Sequence, residues 1–235
     1  MSWLARLEVD AEIVHEEGIS DDVYAWHKML WQCYPGEPER TRVDIGFLTR
    51  IDQLEGAYRF WVMAKQKPER PHWCTAESFK INEISPSFLS HRYYAFDLRA
   101  NPVKALVQHG PDGKPALQPN GKWKRGKRVP LVKEDELKAW LAQKGQVRAV
   151  VCRKGEKKIE IPGGFKIVEE KPLEISRLAI NHFRKKEQTA YHGGIQFRGV
   201  LEVTDTARFT ESYFAGIGGA KGFGFGLLLL APTKL

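Results

Sequence analysis

In the second half of this chain the spacing of apolar residues changes in a fixed order, and that order limits the fold more than any other feature. Residues 93–98 alternate as a strand, and residues 134–143, following Pro130, read as a helix. Residues 163–168 read as a strand or one arm of a hairpin. Residues 196–203 alternate strongly, with Phe197, Gly199, Leu201 and Val203 on one face. Asp205 is placed to cap a helix that runs through Phe214, and residues 227–230 form an apolar run of strand length. Strand, helix, two strands, helix, strand is the βαββαβ order of a ferredoxin-like α+β fold.

The first half suggests a similar unit. Trp3, Ala5, Leu7 and Val9 share one face of a strand, with Arg6 and Glu8 on the other. Ser20, Asp21 and Asp22 supply a hydroxyl cap and acids for the first turn of a helix. That helix should run to about Tyr34, where Pro35-Gly36 stops it; Val23, Trp26, Leu30, Cys33 and Tyr34 form its apolar face. Residues 46–51 and 58–65 read as strands joined by a turn at Leu54-Glu55-Gly56, and Phe79, Ile81 and Ile84 mark another. The result is a βαββ unit with a weak second helix. The expected architecture is α+β, two tandem ferredoxin-like (βαββαβ, RRM-like) domains spanning residues 1–88 and 91–235.

The 235 residues carry a formal net charge of +8, which bears on partners and solubility rather than on fold. No apolar run approaches the ~18 residues of a membrane span, so no membrane partner is expected. The N-terminus lacks a basic-then-apolar secretory pattern. Cys33, Cys74 and Cys152 are scattered without a CxxC pair, which supports neither a zinc site nor a disulfide framework. A cytoplasmic protein with reduced thiols is the expectation.

The chemistry-bearing segment is Gly216-Ile217-Gly218-Gly219-Ala220-Lys221-Gly222-Phe223-Gly224-Phe225-Gly226. Glycines at this density let backbone N–H groups approach a ligand closely, and phosphate suits an exposed loop of amides with a lysine. It is not a Walker A sequence, which needs GxxxxGK[ST] between a strand and a helix. Lys221-Gly222-Phe223-Gly224-Phe225 matches the start of the RNA-recognition-motif octamer, but Gly226-Leu227-Leu228 breaks the match.

A G-hydrophobic-G-x-x-K-x-x-G-x-G-L loop before an apolar strand resembles the glycine-rich loop of the repeat-associated endoribonucleases of CRISPR systems. The specific resemblance is to the CasE family, the crRNA-processing subunit of type I-E Cascade. Three further segments carry it in order. Residues 22–31 resemble the family's Y-x-x-H-x-x-L-W helix, Leu98-Arg99-Ala100-Asn101-Pro102 its L-R-A-N-P segment, and Arg128-Val129-Pro130-Leu131-Val132-Lys133 its R-V-P-L-hydrophobic-K segment. The resemblance implies the same tandem ferredoxin-like fold.

Tyr24 and His27 lie three apart, so they share a helix face, with His27 at the edge of the apolar stripe. Helix position alone also fits a boundary histidine in ordinary packing. The resemblance implies that this tyrosine and histidine form a cleavage site. Such a site would work by acid–base chemistry on RNA, whose 2′-OH is the nucleophile. Attack on the adjacent phosphorus would leave a 2′,3′-cyclic phosphate and a 5′-OH. No cofactor and no metal is expected, because no Asp/Glu/His cluster accompanies the pair.

Cations gather at Lys122, Lys124, Arg125, Lys127, Arg128 and Lys133, around Trp123, in a loop placed at residues 110–128. They gather again at Arg153, Lys154, Lys157 and Lys158, and at Arg184, Lys185 and Lys186. A solvated loop is one reading; a phosphate-tracking strip is the other. Candidate RNA-binding residues are Lys124, Arg125, Lys127, Arg128, Lys133, Lys185, Lys186, Gly218, Gly219, Lys221, Gly222 and Gly224. The partners implied by the resemblance are a CRISPR repeat hairpin, the crRNA product and other Cascade subunits. A non-catalytic RNA-hairpin-binding subunit fits the charge and the loop equally; a small-molecule enzyme on this fold does not fit the basic excess.

Overall fold

The computed structural model describes residues 1–17, 23–35, 46–110, 112–114, 116–117, 124–151, 158–161, 163–178, 181–185, 188–192 and 194–235; at 23–24, 125, 148–151, 158–161, 181–185 and 188–192 only the backbone is described. The first unit runs β1 (Trp3–Asp10), α1 (Ala11–Glu16), α2 (Val23–Trp31), β2 (Leu48–Gln53), β3 (Ala57–Ala64) and β4 (Phe79–Glu83). Its antiparallel sheet has the order β2-β3-β1-β4.

Alternation decides what this sheet covers. Ala5, Leu7 and Val9 of β1 and Phe60, Val62 and Ala64 of β3 point to one face, where they meet Trp26, Met29, Leu30 and Cys33 of the helical segment. Trp26 sets its ring 5.2 Å from that of Phe60. Leu30 is fully buried, and truncating such a side chain to alanine costs about 2–5 kcal/mol. The helix ends earlier than its sequence suggests: past Trp31 the chain turns, with the Cys33 and Tyr34 N–H groups donating to Leu30 and Trp31 carbonyls at 3.1 and 2.9 Å. The expected cap at Ser20, Asp21 and Asp22 lies outside the described residues. The weak second helix expected in this unit does not form between β3 and β4, where residues 65–78 hold turns. Pro68 and Pro71 interrupt that stretch, and buried Trp73 and Cys74 pack on the core instead.

The second unit runs β5 (Tyr93–Ala100), β6 (Val103–Val107), β7 (Arg125–Pro130), α3 (Glu134–Gly145), β8 (Arg148–Val151), β9 (Lys158–Ile161), β10 (Phe165–Ile167), β11 (Glu174–Arg177), β12 (Asn181–Lys185), β13 (Gln188–His192), β14 (Ile195–Val203), α4 (Thr206–Ala215) and β15 (Leu228–Pro232). Its main sheet has the order β10-β14-β5-β15, with β11 also pairing β14. Counting only main-sheet strands, both sheets share one order, 2-3-1-4, so the chain is two tandem ferredoxin-like folds. The hairpins β6–β7, β8–β9 and β12–β13 are additions to the second.

Its core sets Tyr94, Phe96 and Leu98 of β5 and Phe197 and Leu201 of β14 against Leu137, Trp140 and Leu141 of α3 and Phe209 and Tyr213 of α4. Asp205 caps α4 as expected, its Oδ1 accepting from the Arg208 N–H at 3.0 Å. Gly145 is required where α3 meets β10, because a Cβ there would lie 2.0 Å from the Phe165 carbonyl oxygen. The basic loop placed at residues 110–128 is shorter than its composition suggests. Its end belongs to β7, which pairs antiparallel with β6 through a bulge.

The two units are joined through β2. Thr49 and Ile51 face the α2 side of the first sheet; Leu48, Arg50 and Asp52 face the second unit. Leu48 and, from β3, Met63 are buried in the second unit's core.

Candidate functional site

The helix α2 anchors its apolar stripe through Trp26 and Leu30, and the ~100° step from Trp26 to the next residue leaves His27 half-buried at the stripe's edge. From there the ring crosses to the other unit. Its Nε2 lies 2.5 Å from the carbonyl oxygen of Gly222, and its ring centroid is 6.1 Å from that of Phe47. A carbonyl only accepts, so Nε2 carries a proton in this arrangement. His27 lines a small notch with Trp26, Leu30, Thr49, Ile51 and Gly224. Tyr24 lies three residues earlier on α2, the spacing that puts two positions on one helix face.

The glycine segment is the other wall. It leaves α4 at Gly216, whose φ is +74°, and is clamped at its root. The Ile217 N–H donates to the Gly226 carbonyl, and the Gly226 N–H to the Arg99 carbonyl, both at 2.8 Å. Gly218, Gly224 and Gly226 adopt left-handed φ values of +86°, +79° and +92°, which side chains resist. Gly219 is exposed with nothing within 4 Å of its would-be Cβ, so it offers open backbone. Lys221, expected to add a cation for a ligand, donates from its Nζ to the carbonyl of Ala215, where a cation complements the helix C-terminus. Lys221–Phe223 form a 3-10 turn, so the segment resembling an RNA-recognition octamer lies on no strand. The sheet face opposite the core agrees: its central positions are Asp97, Arg99, Gln196 and Arg198, not stacking aromatics.

Under this junction lies an ionic cluster. Arg50, only 3 % exposed, gives its two Nη groups to both oxygens of Asp97 at 2.8 and 3.1 Å and its Nε to Asp52 at 2.8 Å. Asp97 also accepts from Gln196 at 2.9 Å and from Arg198 at 3.1 Å. Arg99 reaches Asp52 at 2.8 Å and the Ile51 carbonyl at 2.7 Å. Burial disfavours the charge on Asp97, but the Arg50 hydrogen bond and charge, with Gln196 and Arg198, outweigh it and hold the carboxyl below the usual range. Burial likewise opposes the charge on Arg50, and Asp97 and Asp52 reverse that effect.

The expected cationic strip does not form one face. Lys124, Lys127, Arg128 and Lys133 are exposed, but Lys127 and Arg128 are consecutive on β7 and point to opposite sides of the hairpin. Lys133 opens α3, its carbonyl accepting the Leu137 N–H at 3.0 Å. Arg125 and Lys185 are placed by backbone only, on β7 and β12; Lys186, with Lys122, Trp123, Arg153, Lys154 and Lys157, lies outside the described residues. Among the described residues no group of three or more His, Cys, Asp and Glu side chains is arranged to hold a metal ion, and no helix is long and apolar enough to cross a membrane.

A family model described as CRISPR associated protein matches residues 2–232. The chain belongs to this CRISPR-associated family. The resemblance to CasE is borne out. The chain is 28% identical over 223 residues to the CRISPR system Cascade subunit CasE of Escherichia coli K12, covering 94% of this chain and 98% of the relative. It is 27% identical over 244 residues to the CRISPR-associated endoribonuclease Cse3 of Thermus thermophilus, covering 98% and 100%. Its fold matches the crystal structure of Cas6e from Escherichia coli K-12 with a TM-score of 0.65 at 24% identity, across 99% of this chain and all of that one. It matches Cse3 bound to a 19 nt RNA with a TM-score of 0.66 at 23% identity, across 98% and 99%. These likenesses establish the tandem fold of this CRISPR-associated chain; its site stands on its own geometry.

Sequence reasoning found His27 and the glycine loop of this family member but not what joins them. Phe47, Thr49 and Ile51 carried no signal beyond strand alternation. Arg50, Asp52 and Asp97 occupy alternating polar positions, and only the pairing of two distant sheets buries Arg50 and Asp52 and half-buries Asp97.

Proposed function

We propose that this protein is a crRNA-processing endoribonuclease of the CasE type, in which residues 1–88 form the domain carrying the catalytic helix and residues 91–235 the domain carrying the glycine loop. The observation that carries the reading is the meeting of His27 with Gly222: a histidine, the side-chain type suited to proton transfer near neutral pH, rests against a loop built for close backbone approach. Related proteins are named as a Cascade subunit and as an endoribonuclease.

The substrate is the CRISPR repeat hairpin. Its stem is held by shape and by phosphate contacts from Lys124, Arg125, whichever of Lys127 and Arg128 faces the RNA, Lys133, Lys185 and Lys186, and its scissile end lies across Gly218, Gly219, Gly222 and Gly224. The ribose 2′-OH loses its proton as it bonds to phosphorus, the P–O5′ bond breaks, and the departing 5′ oxygen gains a proton. A 2′,3′-cyclic phosphate and a 5′-OH result at the 3′ base of the stem. His27 makes one of these transfers, and Tyr24 positions the 2′-OH. Lys221 acts on the loop's shape, through Ala215, before it acts on RNA. The product stays bound and enters Cascade with the other subunits.

Incubating the protein with its repeat RNA in EDTA tests this. Cleavage should persist, and His27→Ala should lower the single-turnover rate by roughly 10²–10⁴-fold while hairpin binding is kept. A wild-type protein that binds the hairpin without cutting it would be a non-catalytic subunit. Activity lost in EDTA and restored by magnesium would refute the acid–base mechanism.

A further inference from the structure

We propose that the Arg50–Asp97 fork, buried at its arginine and half-buried at its carboxylate, is a positioning device that holds the His27 wall of the site in register with the glycine loop. The inference rests on the endoribonuclease reading above.

The path is continuous. Thr49 and Ile51 of β2 line the notch with His27, so β2 carries the floor of the site on one face. On its other face β2 carries Arg50 and Asp52, which bond across to β5 through Asp97 and Arg99. Arg99 then holds both walls. Its guanidinium binds the Ile51 carbonyl at 2.7 Å, and its own carbonyl accepts the Gly226 N–H at 2.8 Å, at the root of the glycine loop. Displacing β2 along β5 would therefore move His27 relative to Gly222 by a similar distance.

The choice of groups fits positioning better than adhesion. An apolar contact such as Leu48 in the second core tolerates sliding, because the hydrophobic effect is non-directional. A guanidinium laid against a carboxylate through two parallel N–H bonds fits one register only. Buried ion pairs add little net stability, since desolvation offsets the attraction, and specificity of arrangement is their better-attested use. The Asp97 carboxylate is saturated on both oxygens by Arg50 and Gln196 and is bound again by Arg198, so it has little freedom to follow a displaced partner.

Arg50→Lys keeps the charge and loses the fork; Asp97→Asn keeps the shape and loses the charge. Each is compared with wild type for thermal melting, for hairpin Kd, and for single-turnover cleavage at saturating enzyme. Misplacement by about 1 Å can cost on the order of 10²-fold in rate. Both variants should melt cooperatively and bind the hairpin within about threefold of wild type. Both should cleave roughly 10- to 100-fold more slowly, with the midpoint of the pH–rate curve unmoved because the titrating group is unchanged. Cleavage within about twofold of wild type by either folded variant would overturn the proposal. So would a rate loss matched by an equal loss of binding, or failure of both variants to fold, which would assign the pair to stability. Wild-type protein that does not cut the RNA at all would instead remove the endoribonuclease reading beneath it.

Discussion

Valine at Gly219 and valine at Gly224 should separate RNA contact from backbone strain within one loop. Gly224 has φ +79° and ψ 16°, in the left-handed region, while its would-be Cβ meets only the Thr49 carbonyl oxygen at 3.9 Å. The cost of Gly224→Val is therefore conformational rather than steric. A β-branched residue held at positive φ costs about 1–3 kcal/mol. For a chain of this size each kcal/mol moves Tm by roughly 2–4 °C, so Gly224→Val should lower Tm by roughly 2–12 °C. Gly219 has no positive φ and no atom within 4 Å of its would-be Cβ. Gly219→Val should leave Tm unchanged or slightly raised, since losing a glycine also restricts the unfolded chain by up to about 1 kcal/mol. The same side chain stands where a phosphate would approach the backbone, so hairpin Kd should rise about tenfold or more, equivalent to about 1.4 kcal/mol. Calorimetry gives the first quantity and fluorescence anisotropy with labelled repeat RNA the second. Equal destabilisation by both substitutions would refute the backbone assignment. Wild-type affinity in Gly219→Val would take the RNA off this part of the loop.

Two further outcomes follow from the charges. Because Lys127 and Arg128 point to opposite sides of the β6–β7 hairpin, only one of Lys127→Gln and Arg128→Gln should reduce the log–log salt slope of hairpin binding, by about one unit; equal reductions by both would contradict the placement. The carboxyl of Asp97 is held below its ordinary value, so the stability it adds is complete above about pH 4, the unfolded Asp range, and is lost as pH falls through the lower folded value. Urea titrations from about pH 7 down to about pH 2.5 should show this acid limb flattened in Asp97→Asn, and an identical limb in both proteins would remove Asp97 as its source.

Much of this protein was legible in residue order alone. The strands at Trp3, Tyr93 and Gln196 announce themselves because one buried face imposes a period of two, and Asp205 announces its helix because the cap uses a local hydrogen bond. His27 falls at a helix edge for the same reason: a period of 3.6 is a local property. Where the structure departs from that reading, the causes are both local and distant. The weak second helix of the first unit does not form at residues 65–78, where two prolines interrupt the chain and Trp73 reaches the core from a turn. The loop at 110–128 is partly strand because β6 offers its edge. Lys221, read as a cation for a ligand, also serves the C-terminus of α4, six residues back in the chain. What only the tertiary structure decided is the joining of the two halves. His27 and Gly222 are 195 residues apart, and Arg50 and Asp97 are 47 apart. No local period encodes such pairings, because they depend on which sheet face is left uncovered after each unit has buried its own core.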